Sequence, residues 1–259
     1  MAPMRTVAVV FAAQGGMGDV GKFAIMHARS RAAELVVRPI ALYAASEGAP
    51  PNFRADVKDV DSQSRLANGF EGLSVPTVDI EQVGATEKVC DALHGADAVI
   101  SCVGNREPTS GLFAPAAWKP ARWCARGTQI VFAAMKTKGI NRVVLLSSMG
   151  FGDDPTRSTA LGRFYRCLLI STRSFREVAR DVRAMEEEVQ RSDFDYLMLR
   201  PMGLDPEAVT RHTWALIGKK EDGALEMTIS KEDVAACMLQ EALEPTIHRA
   251  ARTIGYKKS

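Results

Sequence analysis

Residues 4–22, MRTVAVVFAAQGGMGDVGK, decide how the chain folds. From Val7 to Ala13 the run is almost unbroken in its apolar character, and it then breaks into Gly15, Gly16, Gly18 and Gly21. A short apolar run without alternation suits a parallel strand covered on both faces, and glycines suit a tight turn into a following helix. The first turn of such a helix has backbone N–H groups without helical partners, and the macrodipole adds partial positive charge there. An anion such as a pyrophosphate is welcome at that point. This is how a doubly wound fold opens a dinucleotide site. The stretch departs from G-x-G-x-x-G, because Ala12 or Ala13 stands at the first glycine position with Gln14 after it. Asp19 suits the positive helix end, worth about 0.3–1 kcal/mol, but opposes a bound phosphate. Taken alone, the stretch also reads as a strand-to-helix turn that binds nothing.

The chain's 259 residues, 46% hydrophobic, are enough for one large core, and a single α/β domain is expected over residues 1–259. A net charge of +2, with lysines and arginines scattered, gives no reason to expect nucleic acid. Five widely spaced cysteines (Cys90, Cys102, Cys124, Cys167 and Cys237) argue against a disulfide framework and a zinc site. They fit reduced thiols in the cytoplasm or another reducing compartment. The first strand starts close to Met1 and no apolar run is long enough for a membrane span, so neither a targeting segment nor a span is expected.

Further along, a helix is expected over about 19–31 and a strand over 35–43, where Pro39 suggests an edge or a bulge. A short exposed helix follows over 57–66, then a strand over 74–80. Asp79, at its end, either hydrogen-bonds adenine or forms the turn. A helix over 85–93 leads into a buried strand at 98–103, whose end at Val103 and Gly104 lets backbone approach a ligand. Residues 105–123 hold Pro108, Pro115, Pro120, Trp118 and Trp123, and read as a substrate lid or a docking surface. A helix over 127–138 and a strand over 142–148 come next. Ser147 and Ser148 end that strand, either in the crevice or satisfying local backbone. A helix over 173–191 carries Val178, Val182, Met185 and Val189 on one side, and Glu186, Glu187 and Glu188 read as a solvated, ion-paired face. A strand over 195–199 stops at Pro201, residues 203–228 read as a substrate-side insertion, Ser230 caps a last helix with Asp233 at its third position, and residues 251–255 form a final strand. The fold class expected is α/β, a doubly wound parallel sheet of Rossmann-like design with a small C-terminal substrate-side extension.

Several stretches in this order carry a resemblance. They are Gly95-Ala96-Asp97-Ala98-Val99-Ile100, Gly104-Asn105-Arg106, Ala134-Met135-Lys136 with Gly139 and Arg142-Val143-Val144, and Ser147-Ser148 followed by Asp154-Pro155-Thr156. After them come Met185, Tyr196, Arg200-Pro201 and Ile229-Ser230-Lys231-Glu232-Asp233-Val234 with Met238-Leu239. On these the chain resembles the atypical short-chain dehydrogenase/reductases, in the branch that holds biliverdin-IXβ reductase/flavin reductase. The resemblance implies a domain that is monomeric when free and binds NAD or NADP, with NADP the more usual. It implies that Ser148 lies near the nicotinamide and assists hydride delivery to a flavin or tetrapyrrole. The Tyr-x-x-x-Lys of the classical branch is absent, since Leu169 stands four residues after Tyr165. The branch's G-A-T-G-x-T-G loop is Ala12-Ala13-Gln14-Gly15-Gly16-Met17-Gly18 here, its arginine after the second strand is missing, and a histidine after the sixth strand is Gly203.

The cofactor-binding set expected on this reading is Gly15, Gly16, Met17, Gly18, Asp79, Ile80, Val103, Gly104, Ser147 and Pro201, with Ser148 catalytic and no metal. The function expected is an NAD(P)H-dependent reductase acting on a planar conjugated substrate such as a flavin or quinone. The alternative is a non-catalytic regulator or subunit that docks a protein partner through residues 105–123, where Trp118 and Trp123 supply contact surface. His212 reads as an inert surface histidine.

Overall fold

The structure, a computed structural model, describes residues 4–13, 18–47, 70–104, 122–149, 173–205, 209–218 and 224–258. The helix expected over 57–66, the segments 151–159 and 161–170, Tyr165, Trp118 and the sites Gly15, Gly16 and Met17 lie outside these residues. The strands are β1 (Arg5–Ala12), β2 (Leu35–Tyr43), β3 (Thr77–Asp79), β4 (Ala98–Cys102), β5 (Arg142–Leu146), β6 (Asp195–Pro201), β7 (Leu204–Asp205), β8 (Ala215–Ile217), β9 (Ile229–Ser230) and β10 (Ala250–Gly255). The helices are α1 (Gly18–Ser30), α2 (Ala85–Ala92), α3 (Trp123–Lys138), α4 (Arg173–Arg191) and α5 (Lys231–Leu243).

Eight strands form one sheet in the order β3-β2-β1-β4-β5-β6-β10-β8, parallel except for β8, which runs antiparallel to β10. β7 and β9 form a separate parallel pair. The apolar run of β1 is explained by its central place: Val7, Val9 and Phe11 face a core made with α1 and α5, while Ala8 and Val10 face a second core made with α2, α3 and α4. Side chains alternate across a strand, so a strand covered on both faces has no solvent side to mark with polar residues.

Pro39 sits inside the sheet rather than at an edge, level with Val9 of β1. The Ala41 amide donates to Pro76 O on the β3 side. Two residues earlier the missing Pro39 donor falls on that same side, below the start of β3, where β2 has no partner strand. The proline therefore removes no ladder bond. Pro201 likewise closes β6 from within, paired with Ile254, and β5 stops at Leu146, so both serines follow the strand. The helix expected from 127 begins at Trp123. Asp181 of α4 explains the earlier start, because its carboxylate accepts from the Cys124 and Ala125 amides at 2.8 and 2.9 Å and caps α3 across the core. Ser230 caps α5 as expected, its Oγ accepting from the Asp233 amide at 3.0 Å.

At the amino end of the sheet Arg142 joins the elements. Its guanidinium donates to Glu241 O and Ile247 O at the end of α5 and pairs with Glu241 and Asp195. Arg5 donates to Leu243 O, and Asp97 and Thr6 exchange hydrogen bonds before β4 and in β1.

Candidate functional site

Beginning at β1, the chain builds outward through β2 and β3, then crosses back to β4 and builds the other way through β5 and β6. Between β1 and β4 the strand order reverses, and the crevice outside the carboxyl ends at such a switch point is where doubly wound sheets bind ligands. Two helices approach it closely. A Cβ on Gly21 of α1 would lie 2.5 Å from Phe11 Cβ and 3.2 Å from Cys102 Cβ, and a Cβ on Gly127 of α3 would lie 2.5 Å from Val103 Cγ1. Glycine at both points lets each helix seat its amino-terminal turns against the strand ends. Small buried residues stand at the ends of the central strands: Ala12 closes β1 with Ala13 after it, and Gly104 lies two residues past β4. The first turn of α1, beginning at Gly18, offers the helix amino-terminal N–H groups that suit a diphosphate.

Asp19 is less hostile to an anion than its charge suggests. Its carboxylate pairs with Lys22 at 3.3 Å and with Lys231, the first residue of α5, at 2.8 Å. Two ammonium groups thus share this one carboxylate beside the amino termini of α1 and α5, which offsets its charge.

The two serines part company. Ser147 is 1% exposed; its amide donates to Leu199 O at 2.8 Å and its Oγ donates to Glu186 Oε1 at 2.6 Å. Glu186 is also gripped by Arg200, Nε to Oε1 and Nη2 to Oε2, each at 2.9 Å. Ser148 is half-buried. Glu186 is thus a buried residue and not part of the solvated face expected for the helix, whereas Glu187 is exposed and pairs with Arg191. The signal was in the spacing: Asp181, Val182, Met185, Glu186 and Val189 lie on one helical stripe, so the stripe that buries the apolar residues also buries both carboxylates. Burial raises the Asp181 carboxyl above its ordinary value against the opposing pull of the Ala125 and Cys124 amides.

Asp79 is 3% exposed, and its Oδ1 accepts from the Glu81 amide at 3.0 Å and the Ala45 amide at 3.3 Å. Ile80 is buried; its amide donates to Tyr43 O, and its carbonyl accepts from Arg126 Nε at 3.4 Å. Pro201 is buried at the end of β6. Next to it, a Cβ on Gly203 would stand 2.9 Å from Met227 O, so the 224–229 segment leaves no room for the family's histidine there. Trp123, expected on a contact surface, is 3% exposed and packs in the α2–α3–α4 core. His212 is exposed, with φ of 52°, and its amide donates to Asp233. Cys102 and Cys237 are inert, their thiols pushed far up by burial. No group of metal-ligating side chains and no helix long and apolar enough to cross a membrane occurs among the described residues.

A family model described as NAD(P)H-binding matches residues 38–245. No curated protein matches the chain. Among solved structures, a short-chain dehydrogenase/reductase from Veillonella parvula in complex with NADP is 14% identical at a TM-score of 0.60, with 98% of this chain and 95% of that one covered. The oxidoreductase ylbE from Lactococcus lactis is 14% identical at 0.60, covering 98% and 92%. ChuY of Escherichia coli O157:H7, described as an anaerobillin reductase, is 19% identical at 0.59, covering 96% of each chain. These likenesses are of fold, and they agree with the resemblance to atypical short-chain dehydrogenase/reductases carried by the motifs. With most of its length matched by the family model, the chain belongs to the NAD(P)H-binding family.

Proposed function

We propose that the chain is an NAD(P)H-dependent reductase that delivers hydride to a planar conjugated substrate such as a flavin or quinone. The observation that carries this reading is the division of labour between Ser147 and Ser148. Ser147 is fixed beneath the crevice by Glu186, which leaves Ser148 as the half-buried hydroxyl next to it. Continuing the β4–β5 register, in which Ser101 is opposite Leu145, sets Gly104 level with Ser148. A glycine beside a hydroxyl leaves space for a ring and supplies one donor to orient it. The name anaerobillin reductase for a structural neighbour supports the same reaction class.

A bound dihydronicotinamide supplies the hydride. The chain's own residues bind, orient and exclude water. First-turn amides of α1 would hold the diphosphate, with Lys22 and Lys231 offsetting Asp19. Ser148 Oγ would donate a hydrogen bond to the carboxamide or to the acceptor's carbonyl, orienting the rings for attack. The Glu186–Arg200 pair holds the ends of β5 and β6 so that Ser148 keeps its place. The non-catalytic reading loses support with the burial of Trp123.

Ser148→Ala is expected to lower NAD(P)H oxidation with flavin or quinone acceptors about tenfold or more while cofactor affinity stays within about twofold. Unchanged turnover would remove Ser148 from the reaction, and absence of turnover in the parent protein would overturn the reductase reading.

A further inference from the structure

At the far side of the crevice β2 ends at Tyr43 and turns through a short 3-10 helix, Ala45–Glu47, beside the end of β3. In a doubly wound dinucleotide fold the adenosine ribose lies against this turn. An acidic side chain there accepts from the ribose hydroxyls, or a basic one takes a 2′-phosphate. The second strand itself ends without either, in Leu42-Tyr43-Ala44.

The end of β3 supplies the missing acid. The Ser46 amide donates to Glu81 Oε2 at 2.8 Å and the Ser46 hydroxyl donates to Glu81 Oε1 at 2.6 Å. One residue earlier, the Ala45 amide is taken by Asp79 Oδ1. Two successive amides of the turn, the kind of donor a phosphate needs, are therefore spent on carboxylates. Asp79 is buried and tied also to the Glu81 amide, so it stays in place. Glu81 is exposed at the rim, with both oxygens anchored by one serine. Two described cations lie near this point: Arg126 of α3, whose Nε is directed to Ile80 O, and Lys88 of α2, whose Nζ donates to Gln82 Oε1 at 3.2 Å.

We propose that this turn selects the dinucleotide without a 2′-phosphate, NAD(H), and that Glu81 is the residue that selects. The inference rests on the reading of the crevice as the nicotinamide cofactor site. A ribose diol brings donors to a carboxylate that only accepts. A 2′-phosphate brings close to two negative charges and only acceptors, to a turn whose described donors are used. The repulsion acts at an exposed site and is screened by salt, so its expected size is about tenfold in affinity. This reverses the NADP preference that the family resemblance implies.

The test is direct titration of the purified protein with NADH and with NADPH by calorimetry, repeated on Glu81→Gln and Ser46→Ala. In glutamine the remaining oxygen accepts from the Ser46 amide while the side-chain NH2 donates to the Ser46 hydroxyl oxygen, so the contact is kept and the charge is lost, and thermal melts check that both variants fold. The expected result is NADH binding about tenfold tighter than NADPH, with the ratio narrowed to about threefold or less in Glu81→Gln and narrowed in the same direction in Ser46→Ala. Tighter binding of NADPH overturns the proposal while leaving the cofactor site intact, and loss of that binding in Arg126→Gln would then assign the phosphate to Arg126. A ratio unchanged in Glu81→Gln also overturns it. Binding of neither cofactor overturns both this proposal and the reading of the crevice.

Discussion

Two arginine–carboxylate pairs stand at opposite ends of one sheet. Arg142 opens β5 at the amino end and is consumed there by two carbonyls of the 241–247 turn, by Glu241 and by Asp195. Arg200 lies near the carboxyl end of β6 and holds Glu186, which in turn holds Ser147. Both pairs are buried, and both join a strand to a helix. They differ in what stands beyond them. Past Arg142 come further closures, with His248 on Asp195 at 2.9 Å and Arg249 donating to Phe194 O and Ser192 O. Past Arg200 come Ser148, Gly104 and the first turn of α1. A polar network that closes on the protein serves stability, whereas one that ends in outward donors beside a floor of small residues serves a ligand.

The comparison breaks most sharply at Arg142. Arg142→Met takes the guanidinium away from two carboxylates and two carbonyls, and is expected to cost about 3–5 kcal/mol in urea unfolding. Cofactor affinity of the folded fraction should be unchanged. A matching loss of affinity would mean that the two ends are not separate in function. A smaller effect of the opposite character is expected at Gly21→Ala. The new Cβ, 2.5 Å from Phe11 Cβ, must push α1 away from β1, at about 1–3 kcal/mol. Here NADH affinity should fall several-fold as well, because the displaced helix carries the diphosphate donors. Retained affinity would show that the seating of α1 does not set the site.

The architecture was legible because its signals are periodic. A strand covered on both faces reads as the continuous run of β1, and Ser230 with Asp233 marks the start of α5. The site was less legible wherever a charged residue does unexpected work. Glu186 reads as solvent-facing by residue type, yet helical spacing sets it on the buried stripe with Asp181, and only the packing of α4 on α3 and β6 gives the two their partners. Trp123 reads as a surface aromatic because it ends a proline-rich stretch; it instead opens a helix that is capped from α4, 56 to 57 residues away. Glu81 carried no local signal, since its partner Ser46 lies 35 residues earlier.

Amide hydrogen exchange with and without millimolar NADH or NADPH tests most directly the claim that the carboxyl end is the cofactor site. The expected result is added protection in the first turn of α1 and in the loops after β2, β4 and β5, with exchange around Arg142 and residues 243–249 unaltered. Protection confined to the amino end, or none at the carboxyl end with either cofactor, would contradict it.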